Sequence, residues 1–60
     1  MTRDEIVERL REIQARARAL RDGVDNPTLE RVAQLIELNC HIARWDLGDV
    51  EAMTPEVEGG

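Results

Sequence analysis

The chain reads as an all-α protein, an antiparallel helical hairpin that pairs with a second copy into a four-helix bundle and carries a short acidic tail. Three observations point there. Two stretches with helical spacing of apolar residues each begin with a strong helix-start signal. A connection of about five residues, Asp22 to Asn26, is short enough to set the two helices side by side in opposite directions. Finally, Trp45 is the one aromatic residue in 60, so the core must be built from Leu, Ile, Val and Ala, the usual filling of helix contacts and a poor basis for a β domain.

The first helix is expected over about residues 3–22. Thr2 followed by Glu5 forms a capping box, each side chain able to satisfy the other residue's backbone N–H, and Asp4 and Glu5 complement the positive helix end. Ile6, Leu10, Ile13, Ala17 and Leu20 step 4, 3, 4, 3 along one seam. Arg18 and Arg21 suit the last turns, and Gly23 reads as the C-terminal cap. Glu5–Arg9 and Glu12–Arg16, spaced i,i+4, are expected to lace the solvated side.

Asn26 before Pro27 opens the second helix, since Asn caps and Pro tolerates the first helical position, and Gly48 closes it after about residue 47. At about 100° per residue this helix has two apolar faces. Leu29, Val32, Ala33, Ile36, Cys40, Ala43 and Leu47 form one; Leu35, Leu38, Ile42 and Trp45 form the other. Glu30, Gln34, Glu37, His41 and Arg44 make the polar stripe between them, and Thr28, Asn39 and Asp46 part the faces on the far side. Folded as a hairpin, the first face meets the seam of helix one, with Ile13 near Ile36 and Leu10 near Cys40. The second face is left in water, and such a stripe normally marks an interface. A two-fold axis could set it against itself.

Size makes a partner the expected source of stability. A 60-residue domain buries roughly 60% of its unfolded surface and usually needs a staple. One cysteine excludes an internal disulfide, and the ligand sets of structural metals are missing. Charge is uneven: residues 1–47 hold nine acidic and eight basic side chains, residues 48–60 four acidic and no basic ones. A nearly neutral body lacks the basic face that phosphate neutralisation requires, so nucleic acid is a disfavoured partner. No run approaches the roughly 18 apolar residues of a membrane span, and Met1 to Glu5 lacks a signal-peptide start. A cytoplasmic protein is expected. Residues 48–60 are read as a flexible tail, its Val50 and Met53 able to pack back for one turn.

Candidates for chemistry are weak. Cys40 lies on the hairpin side, where a small buried hydrophobe is the simpler assignment than a nucleophile. His41 is its neighbour in sequence, yet adjacent helical residues point about 100° apart and form no catalytic pair; Glu37 at i−4 offers His41 a surface hydrogen bond. No cofactor site and no catalytic set can be named, and a non-enzyme is expected. The candidate interface, with the second copy or with a foreign protein, is Leu35, Leu38, Ile42 and Trp45. Trp45 suits either a dimer seam or a hot spot for a partner, with His41 and Arg44 as possible partner-binding neighbours.

The plan of two helices of about twenty residues, a short turn and a polar tail resembles the Rop-type plasmid copy-number regulators, a resemblance that implies an antiparallel four-helix dimer and RNA binding, here through Arg9, Arg16 and Arg18. The opening Met1-Thr2-Arg3-Asp4-Glu5-Ile6-Val7-Glu8-Arg9-Leu10, the absence of lysine and the small size are similar to early accessory proteins of temperate phages. That resemblance implies a helical dimer that inhibits a host quorum-sensing activator or the pilus ATPase. The closing Gly59-Gly60 is similar to the double-glycine ends of ubiquitin-like modifiers and peptide leaders, implying a precursor or modifier whose function lies in that end. Taken together, the leading expectation is a non-enzymatic adaptor or inhibitor that occupies a partner protein's surface.

Overall fold

The computed structural model describes residues 1–49; the remainder of the expected tail, with Val50, Met53 and the Gly59–Gly60 end, lies outside the described residues. Two helices lie against each other, α1 (Arg3–Gly23) and α2 (Pro27–Asp46). They run antiparallel: the Arg3 Nε at the start of α1 donates to the Leu47 carbonyl just past the end of α2, at 2.6 Å. The hairpin and both helix starts agree with the sequence expectation.

Each helix end is closed by the residues that the sequence supplies for it. Thr2 Oγ1 accepts from the Glu5 N–H at 3.2 Å, and Glu5 Oε1 accepts from the Thr2 N–H at 2.9 Å, completing the capping box. The bond from the Thr2 N–H, followed by that from its hydroxyl, holds the Glu5 carboxyl below its ordinary value. Asn26 Oδ1 accepts from the Leu29 N–H at 3.1 Å, with Pro27 opening α2. Gly23 is the last residue of α1, and extended Val24 takes the cap, its N–H donating to the Leu20 carbonyl.

The end of α2 is a Schellman turn. Gly48 sits at φ +78, its N–H donates to the Trp45 carbonyl, and the next N–H, of Asp49, reaches back to the Arg44 carbonyl. Only a residue without Cβ adopts that φ cheaply, which makes Gly48 the stop signal in physical terms. The turn also corrects the expected start of the free tail. Asp49 is buried, directed back into the hairpin by this cap.

The seam between the helices differs from the expected one. On α1 the residues turned toward α2 are Val7, Leu10, Gln14, Ala17 and Arg21, and on α2 they are Glu30, Ala33, Glu37, Cys40, Arg44 and Leu47, all buried or half-buried. Both rows keep the 3 and 4 stepping of a helix seam. Relative to the apolar row Ile6, Leu10, Ile13, Ala17 and Leu20, the inward side of α1 is turned by about 60°. Ile13 and Leu20 consequently stay exposed, as do Leu29, Val32 and Ile36 on the α2 face that was expected inside the hairpin. Small side chains at Ala17, Ala33 and Cys40 let the backbones approach closely. The same rotation brings arginines beside buried carboxylates, which an all-aliphatic seam would have left outside.

Replacing Thr2 by Ala should lower stability by about 1 kcal/mol, the usual cost of a lost cap. Glu5 adds a pH signature. Its folded value is depressed, so its contribution is present above the ordinary carboxyl value of 4.5 and fades as the pH falls through the lower folded value. Urea unfolding of Glu5→Ala against the parent, at one protein concentration, should show a gap at pH 7 that narrows below about pH 4.5.

Candidate interaction surfaces

The rotation of the helices separates the hairpin into three chemically distinct surfaces. One broad side is ionic. Glu37 is held by two arginines of α1, with Arg18 Nε at 3.2 Å from Oε1 and Arg21 Nη1 at 2.7 Å from Oε2. Asp49 lies between Arg44 Nε at 2.7 Å and Arg11 Nη2 at 3.1 Å, and Arg44 Nη1 donates to Gln14 Oε1 at 2.8 Å. These carboxylates cross-link α1 to α2 and to the turn after it. They are almost out of water while Arg11, Arg18 and Arg21 remain partly in it, so those pairs keep hydrated charge on one side, whereas Arg44 is mostly buried with Asp49.

This cluster revises three sequence readings. Arg44 is not a neighbour of the Trp45 surface; its guanidinium is turned to Asp49 and Gln14, largely out of water. Glu37 is not an exposed partner for His41, because the α1 arginines draw it into the seam. On the solvated side of α1, Glu5 is taken by the cap and Arg9 turns to Glu12 at 3.1 Å, an i,i+3 pair in place of the expected Glu5–Arg9 one. The missed signal was the chain's arginine content at seam positions. Arg21 and Arg44 fall on the same 3 and 4 stepping as the buried small residues, and each lies near a carboxylate of the other helix or of its cap.

The second surface is the outer side of α2. Leu35, Leu38, Ile42 and Trp45 step 3, 4, 3 and lie opposite the seam by helical geometry. They are 44% to 60% exposed, Trp45 most of all. Exposed Arg31 continues the row by one step of four at its N-terminal end, a member that the sequence reading missed although the spacing carries it. His41 is exposed and borders this stripe on the side of the ionic surface. Asn39, on the opposite border, spends its amide on the Leu35 carbonyl at 2.9 Å.

The third surface is the other broad side, formed by both helices. Ile13, Leu20, Leu29, Val32 and Ile36 are each 36% to 46% exposed there, flanked by half-buried Ile6, Leu10, Ala43 and Leu47. Ile13, Arg16, Ala17, Leu20 and Ile36 line a shallow apolar groove between the helices, which bears out the expected nearness of Ile13 to Ile36.

For chemistry the described residues offer little. Among them no group of three His, Cys, Asp or Glu side chains is placed to hold a metal ion, and no helix is long and apolar enough to cross a membrane. Burial pushes the Cys40 thiol up, the Arg44 charge opposing it in part, which is the reverse of thiolate activation. Comparison with protein-family models, curated protein sequences and solved structures found no match, so functional inference rests on these surfaces.

Glu37→Ala should remove the carboxylate between Arg18 and Arg21 and lower stability by about 1–2 kcal/mol, the partial exposure of both arginines limiting the loss. Denaturant unfolding at one fixed protein concentration measures it. Unchanged stability would mean that the cluster contributes no cross-link.

Proposed function

We propose that this protein is a non-enzymatic binding module, an adaptor or inhibitor that acts by occupying the surface of another protein. The carrying observation is the outer stripe of α2. Three aliphatic side chains and an indole in one row, half in water and turned away from α1, have no structural use in the hairpin itself. Covering their exposed half would contribute on the order of 3–5 kcal/mol before association costs. A row at this spacing fits an apolar groove in the manner of a helix bound by its receptor, with Trp45 as the anchor and Arg31 and His41 as polar contacts at the edge. A phage-type inhibitor of a host regulatory protein is one form such a module takes.

The competing nucleic-acid reading loses support from the charge pairing. Arg9 faces Glu12 and Arg18 faces Glu37, so two of the three arginines that would contact phosphate already sit beside carboxylates. Nucleic-acid binding would also weaken steeply with salt, whereas an apolar interface would change little.

The test uses the full chain, immobilised, in nuclease-treated bacterial lysate at moderate salt. The expected result is a protein retained in stoichiometric amount, with retention falling by on the order of 100-fold for Trp45→Ala and for Leu38→Glu with Ile42→Glu. Helix content by circular dichroism should persist in these variants, since the stripe lies outside the seam. Equal capture by parent and variants, or retention of nucleic acid that nuclease and salt abolish, would overturn the proposal.

A further inference from the structure

We infer that the broad two-helix face of Ile13, Leu20, Leu29, Val32 and Ile36 is covered by a second copy of this chain, leaving the outer α2 stripe free on the assembled dimer. The inference is independent of the protein-binding role proposed for that stripe.

The core of one hairpin is small. Val7, Ala17, Ala33 and Cys40 are the buried apolar side chains among the described residues, and no large side chain is fully buried. Two helices held by one valine, two alanines and a thiol lack the buried apolar surface that a stable domain needs. The residues for a larger core are present in the chain. Five large aliphatic residues stand at the edge of the seam with more than a third of each still in water, and they line one continuous side of both helices.

Shape and area select the occupant. Two helices of about twenty residues, 8–10 Å apart, present a layer of about 30 Å by 20 Å, on the order of the 800 Å² that each partner gives to a stable interface. A single foreign helix would cover about half of that width, whereas a second hairpin presents a layer of the same dimensions. The groove between Ile13, Leu20 and Ile36 receives ridges of the same kind from a copy related by a two-fold axis. The ion pairs lie elsewhere: Glu37, Asp49, Arg11, Arg18 and Arg44 gather on the opposite broad side, so closing the apolar layers desolvates none of them, and exposed Arg16 is the charged residue that lines the groove. The outer stripe is a poorer site for self-pairing. It belongs to one helix, and its burial would leave the two-helix face in water.

Sedimentation equilibrium and circular dichroism of the full chain over a wide concentration range test this directly. The expected mass is twice the 6.8 kDa of one chain, with helix content falling on dilution as the dimer dissociates. Ile36→Glu should weaken the dimer by on the order of 100-fold or more, while Leu38→Glu with Ile42→Glu leaves its mass and helix content unchanged. The second variant keeps the test decisive even if Ile36→Glu unfolds. A helical monomer at all concentrations would overturn the inference. So would a dimer that Leu38→Glu with Ile42→Glu dissociates, which would give the seam to the outer stripe. A helical monomer whose helicity collapses with Val50→Glu and Met53→Glu would assign the face to the chain's own last residues and overturn it equally.

Discussion

Ala33 has no surface in water, and its row on α2, with Glu37, Cys40 and Arg44, meets a row of α1 that is scarcely more apolar. A seam made of small and charged side chains brings two helix backbones close but buries little aliphatic surface. Apart from Val7, Leu10 and Leu47, the larger apolar residues are then displaced to its edges or beyond it. That single constraint produces the two exposed apolar surfaces, one at the edge of the seam on both helices, the other on the far side of α2.

The charged members of the seam give it direction. Glu37 and Asp49 are buried beside arginines of α1 and of the last turn of α2, which offset the cost of burying their charge, and this pairing goes with the observed roll of the helices. Asp49 reaches its place because Gly48 adopts a left-handed conformation that turns the chain back over the hairpin. Helix rotation, capping and ion pairing are therefore one coupled arrangement. The open apolar surfaces are its consequence and the basis of the proposed function.

Much of the fold was legible in the residues. Thr2 with Glu5, Asn26 with Pro27, and Gly48 are local signals, and each acts through its own backbone neighbours, so the helix limits follow from sequence within a residue or so. The outer stripe was legible for a similar reason, since it depends on the spacing within one helix. The roll of α1 against α2 was not. Hydrophobicity alone favours Ile6, Ile13 and Leu20 as the seam, while the observed Val7, Gln14 and Arg21 are preferred once close backbone approach and the pairing of Glu37 and Asp49 enter. Both effects depend on contacts between the helices, as in Glu37 with Arg18 and Asp49 with Arg11, and a single-helix wheel cannot weigh them. Arg44 was misplaced for a different reason: it was assigned to its sequence neighbour Trp45, whereas its carboxylate, Asp49, lies five positions on, past the helix end.

The roll of the helices is the claim on which the rest stands, and methyl NMR in the presence of a soluble paramagnetic agent reads it residue by residue. On the full chain at a concentration where it is fully helical, the Val7 and Ala33 methyls should keep their signals while those of Leu35 and Leu38 and the Trp45 indole are strongly attenuated. Attenuation of Val7 in that helical chain, with Ile13 and Leu20 protected, would show the aliphatic row inside the hairpin and contradict the account.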